Sequence, residues 1–146
     1  MADIVTPEKR SRMMAGIRRK DTKPEILVRK ALFAAGYRFR LHRRDLPGAP
    51  DVVMPGRMLA IFVHGCFWHA HRDCRLAKTP TTNVEFWQAK LAGNVARDCR
   101  AIAALRSAGW RVLVVWECAT RGEAAAQLAE QLKEWITGNS ALGEIP

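Results

Sequence analysis

The segment Arg111–Trp116, RVLVVW, is nearly continuous apolar and β-branched. Such a run belongs to a central strand buried on both faces, and so to a sheet with helices on both sides. A second apolar run, Met58–Val63, precedes it. Between them Leu91, Val95, Asp98, Ile102 and Leu105 recur at helical spacing, and Gly109 supplies a stop. Strand, long helix, strand is a βαβ unit, whose strands are parallel and whose crossover is right-handed. Parallel strands end at the same edge of a sheet. Whatever follows Val63 therefore emerges beside whatever follows Trp116, and the class is α/β.

The remaining punctuation fills in this frame. Thr6-Pro7-Glu8 reads as the start of a short basic helix, with Met13, Met14 and Ile17 on one side. Thr22-Lys23-Pro24-Glu25 reads as a capping box opening a helix whose apolar positions are Leu27, Val28, Ala31, Leu32 and Ala35, ended by Gly36. Tyr37–His42 alternates, which predicts a half-buried strand with Arg38, Arg40 and His42 outward. Asp51–Met54, the Pro55-Gly56 turn and Arg57–Val63 predict an antiparallel hairpin, which sets Asp51 near the end of the returning strand. Thr82 and Glu85 suggest a capping box for the long helix. Thr120–Glu123 suggests the cap of a last helix reaching about Trp135. The expectation is a mixed four-stranded sheet flanked by helices. The division expected is a basic arm over residues 1–20, a single domain over 21–137, and a frayed tail over 138–146.

The loop leaving the first parallel strand is His64-Gly65-Cys66-Phe67-Trp68-His69-Ala70-His71-Arg72-Asp73-Cys74. It holds three of the chain's four histidines and two of its four cysteines. Cys66, His71 and Cys74 have the spacing C-x4-H-x2-C, and the βαβ geometry brings Cys118 to the same edge. Together they would form a Cys3His tetrahedral zinc site. The plainer alternative is a pair of ordinary buried thiols. Four protein ligands would close the coordination shell, making such a zinc structural. Cys99, in the middle of the long helix, is the spare.

Lys and Arg total 24 against 14 Asp and Glu, a formal charge of +10, with arginine clusters at Arg10–Arg12, Arg18–Lys20 and Arg38–Arg44. A polyanion is the natural partner, and nucleic acid leads. No stretch approaches the roughly 20 apolar residues of a membrane span. Met1–Thr6 leads into charges rather than an apolar run, so a cytosolic chain with reduced thiols is expected.

Once the metal ligands are assigned, His64 and His69 remain. Phosphodiester hydrolysis needs an activated water, neutralised phosphate charge and a proton for the leaving oxygen. Asp51 could hold Mg²⁺ or be a simple strand-start aspartate. One histidine would act as base and the other as acid or phosphate contact, an assignment left open. Asp98, on an otherwise apolar helix face, needs a partner, and orienting a histidine is one such use. Phe67 and Trp68 sit in a polar loop where core packing is not the obvious explanation, and Trp87 opens the long helix nearby. They suggest stacking on bases or wedging between base pairs, with core packing as the alternative for Trp87.

The motifs Asp21-Thr22 with Glu25, LPGAPD over Leu46–Asp51, FVHGCFWH over Phe62–His69, EFW over Glu85–Trp87, Asn94-Val95 with Arg97-Asp98, and GWRV with WEC over Gly109–Cys118 resemble the very-short-patch mismatch repair endonucleases. The resemblance runs from about Arg10 to Trp135. It implies a restriction-endonuclease-like (PD-(D/E)xK) core with a zinc-pinned loop. It implies a Mg²⁺-dependent nick in double-stranded DNA, 5′ to the mismatched T of a T·G pair left by 5-methylcytosine deamination. The family's metal-binding aspartate matches Asp51, with the Val63 carbonyl as a second Mg²⁺ ligand. Its catalytic histidine matches His69, and supporting roles match His64, Glu25 and Asp98. Its zinc ligands match Cys66, His71, Cys74 and Cys118. Its intercalating residues match Phe67, Trp68 and Trp87, with Met14 entering from the arm. Mismatch-repair proteins are candidate helpers, a bacterial cytoplasm is the expected setting, and one site nicking one strand suits a monomer.

Two other readings compete. One is a non-catalytic, zinc-stabilised DNA-binding module that senses distorted duplex. The other is a nuclease of the same fold without mismatch preference. The leftover Asp51, His64 and His69 favour catalysis, and the Phe67-Trp68 pair favours mismatch sensing.

Overall fold

The computed structural model describes residues 21–146. The expected basic helix after Thr6, the arm and Met14 lie outside the described residues.

Helix α1 (Lys23–Ala34) opens with the capping box read from the sequence: the Thr22 hydroxyl accepts the Glu25 N–H, and the Glu25 carboxylate accepts the Thr22 N–H at 2.8 Å. It closes in a Schellman turn, with Tyr37 N–H donating to Leu32 C=O and Gly36 N–H to Phe33 C=O. Gly36 takes the left-handed conformation (φ +94°) that the turn needs. Helix α2 (Val84–Ser107) ends the same way, through Gly109 at φ +90° and Trp110 N–H donating to Leu105 C=O. Its start differs from expectation. Thr82 and Glu85 form no capping box, because Asn83 is the cap residue, in a left-handed conformation without a side-chain cap bond.

Among the described residues the sheet has five strands in the order β1 (Arg40–Leu41), β2 (Val52–Met54), β3 (Leu59–His64), β4 (Arg111–Trp116) and β5 (Leu142–Ile145). The pairs β1/β2 and β2/β3 are antiparallel, while β3/β4 and β4/β5 are parallel. The βαβ expectation holds, with His64 opposite Trp116. The four-stranded expectation does not: the tail, expected to fray, supplies β5. A non-local clamp accounts for this. The Arg111 guanidinium gathers the carbonyls of Trp135, Ile136, Gly138 and Ser140 at 2.9–3.2 Å, turning the chain end back along β4.

The strands divide their side chains between two cores. Val52, Met54, Leu59, Ile61, Leu113 and Val115 pack with Val28 and Leu32 of α1 and with Leu128, Leu132 and Ile136. Val53, Ala60, Phe62, Val112, Val114 and Trp116 pack on the other face with Leu105 of α2. The last helical stretch is broken into α3 (Gly122–Ala125) and α4 (Leu128–Thr137). Thr120 does not cap it, because its hydroxyl donates to Glu117 C=O at 2.6 Å.

The first strand is also shorter than predicted. Tyr37 and Phe39 do face the core, but only Arg40 and Leu41 pair. His42 takes φ +49°, which ends the alternation and turns its ring inward.

Candidate active site

Strand β3 delivers the chain to the sheet edge, and three clusters form where it stops. The first holds carboxylates. Asp51, just before β2, accepts the Val63 N–H through Oδ2 at 2.7 Å. Burial pushes the Asp51 carboxyl up to about 7; the Val63 N–H opposes this and the neighbouring Glu25 carboxylate adds to it. Glu25 is buried, and among the described residues its Oε1 has no hydrogen-bond partner. A capping box explains only Oε2, which takes the Thr22 N–H and hydroxyl. Two adjacent carboxylates, one of them with an oxygen left unpaired among the described residues, suit a hard cation. His42 completes this cluster: donor atoms of Glu25, His42 and Asp51 lie within 4.8 Å of one another.

The second cluster is a histidine pair with one carboxylate. The rings of His64 and His69 stack at 3.9 Å between centroids, tilted by 3°. Asp98, from α2, sits 2.6 Å from His69 Nδ1 and 3.9 Å from His64 Nε2. An ionised carboxylate only accepts, so Asp98 fixes the proton on Nδ1 of His69 and leaves Nε2 a bare lone pair. Burial, helped by the stacked His69 and resisted by Asp98, drives His64 down to about 3, so its ring is neutral at working pH. The edge of Trp116 closes the far side of His64, with ring centroids 5.2 Å apart.

The third cluster is the four-residue set read from the sequence. Cys66, His71, Cys74 and Cys118 offer one donor atom each, all within 4.8 Å of one another. His71 faces the thiols through Nδ1, 3.6 Å from Cys118 Sγ, and its other face stacks on Trp116 at 4.0 Å. Burial pushes the Cys66 thiol up to about 12 and raises Cys118 as well. A dication would offset that cost by binding the thiolates, and the Cys118 N–H already donates to Cys66 Sγ at 3.3 Å. Three sulfurs and one imidazole are a donor set that fits zinc. Cys99 is exposed on α2 and takes no part.

The loop between these clusters is held by its own backbone. His69 N–H donates to Gly65 C=O and His71 N–H to Cys66 C=O, while Cys66 N–H donates to Glu117 at 3.2 Å. Asn94 of α2 reaches across to the Trp68 carbonyl at 2.8 Å. Phe67, Trp68 and Trp87 gather beside it, their centroids 5.0–6.0 Å apart, with Phe86 (59% exposed) packed on Trp87.

The structure thus brings Asp51, Glu25 and Val63 together, joins His64, His69 and Asp98, assembles the four metal-ligand candidates, and groups Phe67, Trp68 and Trp87. Sequence reasoning missed His42, which it placed outward, and quoted Asn94 and Glu117 within motifs without giving either a role. The signals for Glu117 were its position beside Cys118 and its place in the WEC motif.

A family model described as DNA mismatch endonuclease Vsr matches residues 2–76. The DNA mismatch endonuclease Vsr of Escherichia coli K12 is 45% identical over 148 aligned positions, spanning 99% of this chain and 94% of that one. The type II nicking enzyme V.XorIIP of Xanthomonas oryzae pv. oryzae is 52% identical over 118 positions, 81% of this chain and 86% of its own. The type II nicking enzyme V.NmeAIP of Neisseria meningitidis is 42% identical over 124 positions, 85% of this chain and 88% of its own. With these matches spread over nearly all its length, the chain belongs to the DNA mismatch endonuclease Vsr family.

Proposed function

We propose that this DNA endonuclease nicks double-stranded DNA 5′ to the mismatched T of a T·G pair, the lesion left when 5-methylcytosine deaminates. The observation that carries the reading is the His69–Asp98 pair, set one strand-end away from the Asp51–Glu25 carboxylates and flanked by the ring cluster of Phe67, Trp68 and Trp87. Relatives named as mismatch and nicking endonucleases support it. The strand order and the edge position of the site accord with a restriction-endonuclease-like core.

Asp51 and the Val63 carbonyl would hold Mg²⁺, with Glu25 turning its free oxygen toward it. When bound, the ion supplies charge neutralisation at the phosphate. The bare Nε2 of His69 takes a proton from the attacking water, and Asp98 stabilises the imidazolium that results. His64, neutral and stacked against His69, brings a single N–H for a phosphate oxygen and keeps a second positive ring out of the pair. Cys66, His71, Cys74 and Cys118 would hold Zn²⁺, which would stiffen the loop that follows His64 and carries His69. Phe67, Trp68 and Trp87 stack on or between bases at the mispair, with Met14 joining from the arm.

The test is nicking of two end-labelled duplexes in Mg²⁺, one with T·G and one with T·A, by the wild type and by Asp51→Ala and His69→Ala. A nick on the T strand of the mismatched duplex alone, lost in both variants, is expected. Tight binding without cleavage would instead favour a non-catalytic binding module, and equal cutting of both duplexes would favour a nuclease without mismatch preference.

A further inference from the structure

We propose that His42, oriented by Arg29, is a positioning residue for the Asp51 carboxylate. The inference rests on the reading of Asp51 as the group that holds the cation.

Backbone geometry gives the first support. Alternation along Tyr37–His42 would send the His42 side chain outward with Arg38 and Arg40. Instead His42 adopts φ +49°, a conformation that L residues seldom take, though histidine takes it more readily than most. The turn swings the ring from the surface of β1 toward the carboxylates. The same residue is tied to Asp51 through the main chain, with His42 N–H donating to Asp51 C=O at 3.2 Å. An uncommon backbone conformation that delivers a side chain into a site is a pointer to function.

The hydrogen bonding around the ring then decides which way it works. Arg29 NH2 lies 3.0 Å from His42 Nε2. A guanidinium has donors and no acceptor, so Nε2 must accept and the ring proton must sit on Nδ1. Nδ1 is the nitrogen that faces Asp51, 3.9 Å from Oδ1. That length exceeds a direct hydrogen bond and is the reach of a dipole or of a shared water. The two oxygens of Asp51 are thereby addressed separately: Oδ2 by the Val63 N–H and Oδ1 by the Nδ1–H of His42.

Arg29 is itself held for the task. It is largely buried, bonds Asp21 at 2.8 Å, and lies 3.7 Å from the orphaned Oε1 of Glu25. His42 Nε2 also lies 3.7 Å from Asp21 and 3.8 Å from Glu25, but Arg29 is nearer than either. A second donor at Nε2 would meet the guanidinium head-on. Asp21, Arg29, His42 and Asp51 thus form a chain in which each group sets the orientation of the next, the kind of outer support that tunes a metal-holding carboxylate.

The first experiment reads the tautomer directly, by long-range ¹H–¹⁵N NMR on the metal-free full chain at neutral pH. His42 is expected as the Nδ1–H form in the wild type and as the Nε2–H form in Arg29→Met. An Nε2–H ring in the wild type would overturn the proposal. The second experiment measures Mn²⁺ binding, by electron paramagnetic resonance without DNA. His42→Ala should weaken Mn²⁺ about tenfold to a hundredfold. His42→Asn, whose amide N–H stands where Nδ1–H stood, should bind within about threefold of wild type. Nicking should follow, with kcat lower in His42→Ala and the KM for DNA unchanged. Wild-type Mn²⁺ affinity in His42→Ala, with binding lost in Asp51→Ala, would sink this inference alone. Wild-type affinity in Asp51→Ala would sink the cation reading, and this inference with it.

Discussion

His69 and Asp98 meet at 2.6 Å across 29 residues of sequence, nitrogen to carboxylate, joining the histidine loop to helix α2 at a half-buried contact. The carboxylate dictates the tautomer. Asp98→Asn keeps the shape but offers an amide that can donate to Nδ1, which moves the ring proton to Nε2 and removes the base. Single-turnover nicking should fall by about a hundredfold or more, with duplex affinity little changed. An Asn variant of near wild-type rate would remove Asp98 from the proposed mechanism.

The burial of Asp51 has a signature in stability. Its carboxyl titrates at about 7 in the folded chain against an ordinary 3.8, so folding favours the protonated form. The contribution of this group is present at low pH and is lost as pH rises through the folded value. The full difference corresponds to roughly 4 kcal/mol at most. In chelator, Asp51→Asn should therefore be more stable than wild type, and the gap should widen from about pH 5 to about pH 8. Chemical denaturation of both proteins at the two pH values gives the answer, and a gap independent of pH would contradict the burial account. Saturating Mg²⁺ should narrow the gap at the higher pH.

Zinc, if it occupies the Cys66, His71, Cys74 and Cys118 set, should be present at about one ion per chain by elemental analysis. Cys99→Ser should leave that ratio intact, because Cys99 is exposed on α2 away from the set. Cys74→Ser should lower it and lower the melting temperature. A strong chelator should cost nicking activity together with the fold of the loop, read by near-ultraviolet signals from Trp68 and Trp116. Full activity and an unchanged melting curve in a zinc-free protein would show the thiols to be ordinary core residues.

The rings of Phe67, Trp68 and Trp87 predict a substrate effect. Stacking on a base is worth about 1–3 kcal/mol, so Trp68→Ala should weaken binding to a T·G duplex by roughly fivefold to a hundredfold. The same variant should bind a matched duplex with little change. Fluorescence anisotropy of the two duplexes tests this, and equal losses on both would reassign the rings to general DNA contact.

Local signals carried most of what could be read from the chain. Gly36 and Gly109 were legible as helix ends because the turns that need them involve only neighbouring residues. The four metal-ligand candidates were legible because three lie in one loop and parallel pairing of β3 with β4 brings in Cys118. What was missed depends on contacts distant in sequence. The strand β5 exists through the Arg111 clamp on carbonyls from Trp135 to Ser140, and no period in the tail announces it. His42 escaped because one left-handed residue broke an otherwise regular alternation. The capping signal at Thr82 was real as a pattern, but Asn83 took the cap position in a conformation that propensity does not reveal.

The pairing of His64 with Trp116 bears on when the site comes into being during folding. The residues that meet there come from α1, the turn before β2, the end of β3, the middle of α2 and the end of β4, with Cys66 and Cys118 52 residues apart. Contacts of such long separation carry a larger loop-closure cost than the local turns of the helices and the β2/β3 hairpin. No fragment shorter than Glu25 to Asp98 holds Glu25, Asp51, His64, His69 and Asp98 together. A chain in which β3 and β4 have not paired therefore keeps the charge that suits DNA but lacks the assembled set of groups proposed to cut it.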